Sequence, residues 1–129
     1  MDLPNLNLSA IPSKPSPSEF IGKLFACRDI AHLAHLKTQS YAQHVALGSY
    51  YDDLLDLIDT LTESIQGLRG IINITIPTTT AEEPISYLDK TYKYIDQNRD
   101  IFKESFLQNI IDEIQHLNAQ TLYKLKNLK

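Results

Sequence analysis

Apolar residues recur at three- and four-residue intervals along most of this chain, which predicts helices rather than strands. The first helix is expected from about Ser18 to Lys37, over FIGKLFACRDIAHLAHL, with Ser16 or Ser18 as cap and Glu19 in the first turn. Phe20, Leu24, Arg28, Ala31 and His35 share one of its faces. Cys27, Ile30, Leu33 and Ala34 carry apolar character most of the way round. A helix apolar on more than one side is buried on more than one side. In a chain this short, the second buried side suggests a subunit interface. Thr38, Gln39 and Ser40 break the pattern.

The second helix, about Tyr41 to Gln66, shows the clearest stripe: Tyr51, Leu54, Leu55, Ile58, Leu61, Thr62 and Ile65. An acidic ladder, Asp52, Asp56, Asp59 and Glu63, runs beside it. Gly67 and Gly70 are expected to end it. Gly48 lies inside, where close approach of another backbone would explain it. Residues 71–83, IINITIPTTTAEE, are β-branched and predict an extended crossover with room for a short strand. A third helix begins at Pro84 and carries Ile85, Leu88, Tyr92, Ile95 and Phe102 at helical spacing. After a weak break at Gln97–Asp100, a last helix runs from Ile101 to Leu128, with Ile110, Ile111, Ile114, Leu117, Leu125 and Leu128 on one face. The expected fold is all-α: one four-helix bundle over 18–129 with a long crossover between the second and third helices. Four of the six prolines fall in residues 1–17, which predicts an extended or disordered tail.

Composition narrows the class. At 129 residues and 43% hydrophobic content, one globular domain with a real core is expected. No apolar run is long enough for a membrane span, and the start lacks the basic and apolar regions of a secretory signal. A lone cysteine, Cys27, precludes an internal disulfide and suits a reducing, cytoplasmic setting; its neighbours make it a small buried hydrophobe. The net charge of −4, with only a loose basic cluster at Lys124, Lys126 and Lys129, argues against nucleic acid. Phosphate loops, nucleophile elbows and zinc-finger spacings are absent.

The candidate chemistry lies between His32 and Glu63, which holds three of the four histidines. Imidazole with carboxylate suits iron, zinc or manganese, and Asp59 and Glu63 stand one helical turn apart. A second pair, Asp29-x-x-His32 with Glu113-x-x-His116, has the spacing of a di-iron site built inside a bundle. Periodicity turns His116 away from the apolar stripe and towards solvent. His35 sits centrally on an apolar face and reads as a satisfied core histidine.

The spacing His32-x11-His44-x14-Asp59-x3-Glu63, ending in DTLTE, resembles the miniferritin family, the DNA-protection proteins of starved cells. That resemblance implies a ferritin-like bundle and metal ligands at His32, His44, Asp59 and Glu63. It further implies iron(II) oxidised at a centre shared between subunits, and a shell of twelve copies storing the mineral. The chain departs from the family pattern at a third ligand, an aspartate, which falls on Gly48, and at a tryptophan, which falls on Leu33. A basic DNA-binding tail is missing. Similar small proteins occur in phage genomes, so a bundle reused without its ferroxidase chemistry, as a structural or interaction protein, is the alternative expectation.

Overall fold

The computed structural model describes residues 13–129; the greater part of the expected tail, residues 1–12, lies outside them. Four helices form: α1, Pro17–Lys37; α2, Tyr41–Arg69; α3, Pro84–Asn98; and α4, Ser105–Asn127. A single 3₁₀ turn, Arg99–Ile101, precedes the last.

Local chemistry sets these boundaries. Ser16 and Glu19 make a reciprocal capping box ahead of α1: the Ser16 hydroxyl accepts from the Glu19 N–H at 3.1 Å, and the Glu19 carboxylate accepts from the Ser16 N–H at 2.8 Å. The polar turn at 38–40 is a true break. Ser40 accepts from the Gln43 N–H and starts α2. Glu83 caps α3 through the N–H groups of Ile85 and Ser86, with Pro84 in the first turn.

Three boundaries differ from expectation. Gly67 lies inside the last turn of α2, and Gly70 alone ends the helix, at φ 85°, a conformation that favours glycine. The last helix begins at Ser105, not Ile101. There the Arg99 Nε donates to Gln108 Oε1 at 2.7 Å, and Gln108 Nε2 donates to the carbonyls of Arg99 and Phe102. Those side chains satisfy the corner's backbone, so no continuous helix is needed. The crossover contains no strand, since its extended backbone has no partner strand to pair with.

The helices pack in the cyclic order α1, α2, α4, α3. Polar contacts fix their directions. Lys14, just ahead of α1, pairs with Asp100 at the far end of α3, at 3.1 Å. Arg69 at the end of α2 pairs with Glu104 at the start of α4, at 3.2 Å. Neighbouring helices are therefore antiparallel. The diagonal pair α2 and α3 runs parallel, and the 71–83 segment crosses the whole bundle to join them.

The core draws on every helix: Phe20 and Leu24, then Leu54, Ile58, Leu61 and Ile65, then Leu88 and Ile95, then Leu107, Ile111 and Ile114. Phe102 closes one end, edge-on to Phe20 at 5.2 Å between centroids. On α2 the fully buried tyrosine is Tyr50; Tyr51 is only half-buried. Tyr92, expected in the core of α3, is exposed, and Thr91 takes the inward place.

The second buried side of α1 has an intramolecular cause. The crossover lies along it: Pro77 and Thr78–Thr80 stand over Ala26 and Ile30, and the Thr75 carbonyl comes so close to Gly22 that a Cβ there would collide with it. Burial of this side is thus no argument for a subunit interface. Close approach of backbone is the role of Gly22, not of Gly48. No described helix is long and apolar enough to cross a membrane.

Candidate functional site

The α1–α2 hairpin gathers three histidines and a tyrosine at one end of the bundle. His35, in the last turn of α1, and His44, in the first turn of α2, stack face to face at 3.8 Å between centroids and 16° between planes. Each ring is tied to the other's backbone. His35 Nδ1 lies 2.7 Å from the His44 carbonyl, and His44 Nδ1 lies 2.9 Å from the His35 carbonyl. A carbonyl only accepts, so both Nδ1 atoms carry the proton and donate, which places the free lone pair of each neutral ring on Nε2. The His35 carbonyl is one of those that a helix end leaves without an internal partner; His44 supplies the missing donor.

Gly48 belongs to the same arrangement. A Cβ there would stand 3.0 Å from His35 Cε1 and 3.2 Å from its Nδ1. The glycine makes room for an imidazole ring, not for a neighbouring backbone. His32, one turn earlier on α1, stacks on Tyr51 at 4.1 Å and 14°. Tyr51 also meets His35 edge-on at 5.3 Å and lies beneath the Arg28 guanidinium at 5.5 Å. Tyr51 thus joins the histidines at this end of the bundle.

The four residues singled out from the sequence are not brought together within one chain. His32 and His44 lie at the hairpin end. Asp59 and Glu63 are exposed further along α2, and Asp59 stands fifteen positions beyond His44 on the helix, roughly 22 Å away. Among the described residues no three His, Cys, Asp or Glu side chains form a group able to hold a metal ion. The stacking adds a geometric bar. A metal bound to an imidazole nitrogen lies in the ring plane, about 2 Å from that nitrogen. Two near-parallel rings stacked at 3.8 Å have no common point that meets this condition for both. The stacked pair His35 and His44 therefore cannot share a metal ion, and Asp59 and Glu63 of the same chain lie too far along α2 to complete a site with His32 and His44. The second motif fails independently, because Glu113 and His116 are both exposed on α4.

The structure also contains a buried polar chain that the sequence reading did not find. The Tyr50 hydroxyl donates to Asn118 Oδ1 at 2.6 Å, Asn118 Nδ2 donates to Gln115 Oε1 at 2.9 Å, and Gln115 Nε2 donates to the Tyr92 carbonyl at 2.9 Å. The Tyr50 proton is thereby committed. Cys27, 3.3 Å away, must be the donor in its contact with the Tyr50 oxygen. One directed chain thus links α1, α2, α4 and α3. Burial pushes the Cys27 thiol up and the Tyr50 phenol well up; burial also pushes Tyr87 up to about 12. All three stay protonated at neutral pH, so this is a structural network and Cys27 is no nucleophile. The signal available in sequence was three polar residues, Gln115, Asn118 and Thr121, at helical spacing on the inward face of α4.

No curated protein and no solved structure shows significant similarity to the chain. Residues 35–125 match a group described as "Family of unknown function (DUF5856)". The match begins at His35, so it takes in His35, His44, Gly48, Asp59 and Glu63 but leaves out His32. It spans well over half of the sequence, and the chain belongs to this family.

Proposed function

We propose that this protein is a ferritin-like bundle that serves as a self-assembling structural or interaction protein, with its histidine cluster acting as a clasp for the α1–α2 hairpin. The ferritin-like reading draws support from the antiparallel bundle with a diagonal crossover. The clasp reading rests on one observation: His35 fills the space over Gly48, stacks on His44, and exchanges backbone hydrogen bonds with it. The position where the miniferritin pattern carries a carboxylate ligand holds the partner of a packed ring instead.

A second reading keeps the family chemistry. Asp59 and Glu63 are exposed, one turn apart, and neither forms an ion pair among the described residues. In an oligomer of miniferritin type, a neighbouring copy would present that pair to His32 and His44, and iron(II) oxidation would follow at the shared centre. Stoichiometric iron(II) oxidation in air, followed by absorbance, separates the two. The clasp reading expects no rate above buffer. A fast rate that is lost in Asp59→Ala with Glu63→Ala, at unchanged helical content, would establish the iron centre and overturn the clasp as the cluster's main role.

A further inference from the structure

We infer that the face shared by α2 and α4 is a docking surface for a second copy of this chain, paired about a two-fold axis. This deepens the self-assembly reading above and does not involve the histidine cluster; Asp59 and Glu63 enter only through the charge of the acidic end.

The bundle is covered unequally. The crossover lies over α1 beside α3, on the side away from α2 and α4. No described element covers the opposite side. There α2 and α4 leave an open groove, floored by Ala42 and Ala46, small residues that let another helix come close. Its walls are apolar and open to solvent: Tyr41 is 81% exposed, and Val45 and Leu128 are about half exposed. Lys124 and Lys129 stand on its rim. Exposed apolar side chains grouped in this way mark an interaction surface.

The charge pattern along the same face identifies the partner. Residues 38–51 of the chain carry no Asp, Glu, Lys or Arg. From Asp52 to Glu63 there are five carboxylates and no cation. The face therefore runs from lysine-rimmed and apolar at one end to acidic at the other. A two-fold axis across α2 inverts one copy relative to its mate. Both lysine ends then meet acidic regions at once, and like charges are held apart. Self-complementarity of this kind is what an isologous interface requires, and the charges set its orientation. The ridge Tyr41, Val45, Ser49, Asp53 and Leu57, stepping by four along α2, supplies the packing surface.

The test is sedimentation velocity of the full chain across concentration and ionic strength, with circular dichroism as the folding control. Wild type is expected to associate reversibly, and less tightly as salt rises. Lys124→Glu with Lys129→Glu, and separately Asp53→Lys with Asp56→Lys, should each weaken association by about tenfold or more. All four positions are exposed, so the folds should persist. Mixing the two variants should restore association as a mixed dimer. A wild type that stays monomeric at every concentration and salt overturns both the surface and the self-assembly reading. An oligomer indifferent to both reversals and to salt, or variants that fail to recombine, overturns this surface alone and leaves self-assembly standing.

Discussion

Replacing Tyr50 by phenylalanine removes one oxygen and cuts the buried chain in the middle. The ring is 1% exposed, and phenylalanine fills nearly the same space, so no cavity of consequence opens. What changes is Asn118, which is fully buried and loses the donor to its Oδ1. An orphaned buried acceptor costs about 1–3 kcal/mol. The weak thiol contact of Cys27 is lost as well but carries little. For a domain of this size, each kcal/mol moves the melting temperature by about 4 °C, so Tyr50→Phe should melt about 4–12 °C lower with its helical signal intact. Thermal and urea unfolding followed by circular dichroism measure it. Adding Asn118→Leu should recover part of the loss, because the orphaned oxygen goes with it; Gln115 then lacks a donor, so recovery is incomplete. A Tyr50→Phe protein within about 0.5 kcal/mol of wild type would refute the structural role given to this network.

Other expectations follow from the same geometry. Gly22→Ala drives a Cβ into the Thr75 carbonyl, and displacing the crossover should cost about 1–3 kcal/mol in urea unfolding, despite alanine's better helix propensity. The Cys27 thiol, raised by burial, should react with a maleimide far more slowly at pH 8 in the folded protein than in denaturant; equal rates would place it outside the core. Tyr87 ionises at about 12 when folded and near 10 when unfolded, so the folded state holds its proton more strongly. Its contribution is complete below about pH 10 and is lost as pH rises towards 12. Tyr87→Phe should flatten the alkaline loss of stability over that window, and an unchanged slope would contradict the assignment.

The first three helices were legible in the sequence because each begins with its own signal, Ser16 and Glu19, Ser40, and Pro84; α4 has no side-chain cap, and its start was expected too early. The crossover was legible because a β-branched run with Pro77 cannot continue a helix. Two of the misreadings involve tertiary contact. The apolar far side of α1 is covered by the chain's own crossover, a pairing that local periodicity cannot distinguish from a partner subunit. Choosing Tyr51 over Tyr50 as the core tyrosine followed from weighing apolar spacing alone; the inward place went to the residue whose hydroxyl has Asn118 to bond. At the candidate site, spacing placed His32 and His44 on the same hairpin as expected. Their ring planes and hydrogen bonds depend on His35 and Gly48, whose joint role no linear spacing expresses.

The clasp itself is tested most directly by a double-mutant cycle at Gly48 and His35. In wild type, Gly48→Ala improves helix propensity by about 1 kcal/mol. It also crowds the His35 ring, which must give by a few tenths of an ångström and so strains a hydrogen bond worth up to about 1 kcal/mol and a stacking contact worth up to about 1.5 kcal/mol. Net destabilisation of up to about 1.5 kcal/mol is expected. In a His35→Ala background the ring is gone, and the same substitution should stabilise by about 1 kcal/mol. That reversal of sign in urea unfolding is the result this account predicts. Equal effects of Gly48→Ala in the two backgrounds would show that His35 does not depend on the space over Gly48, and the clasp would fall with it.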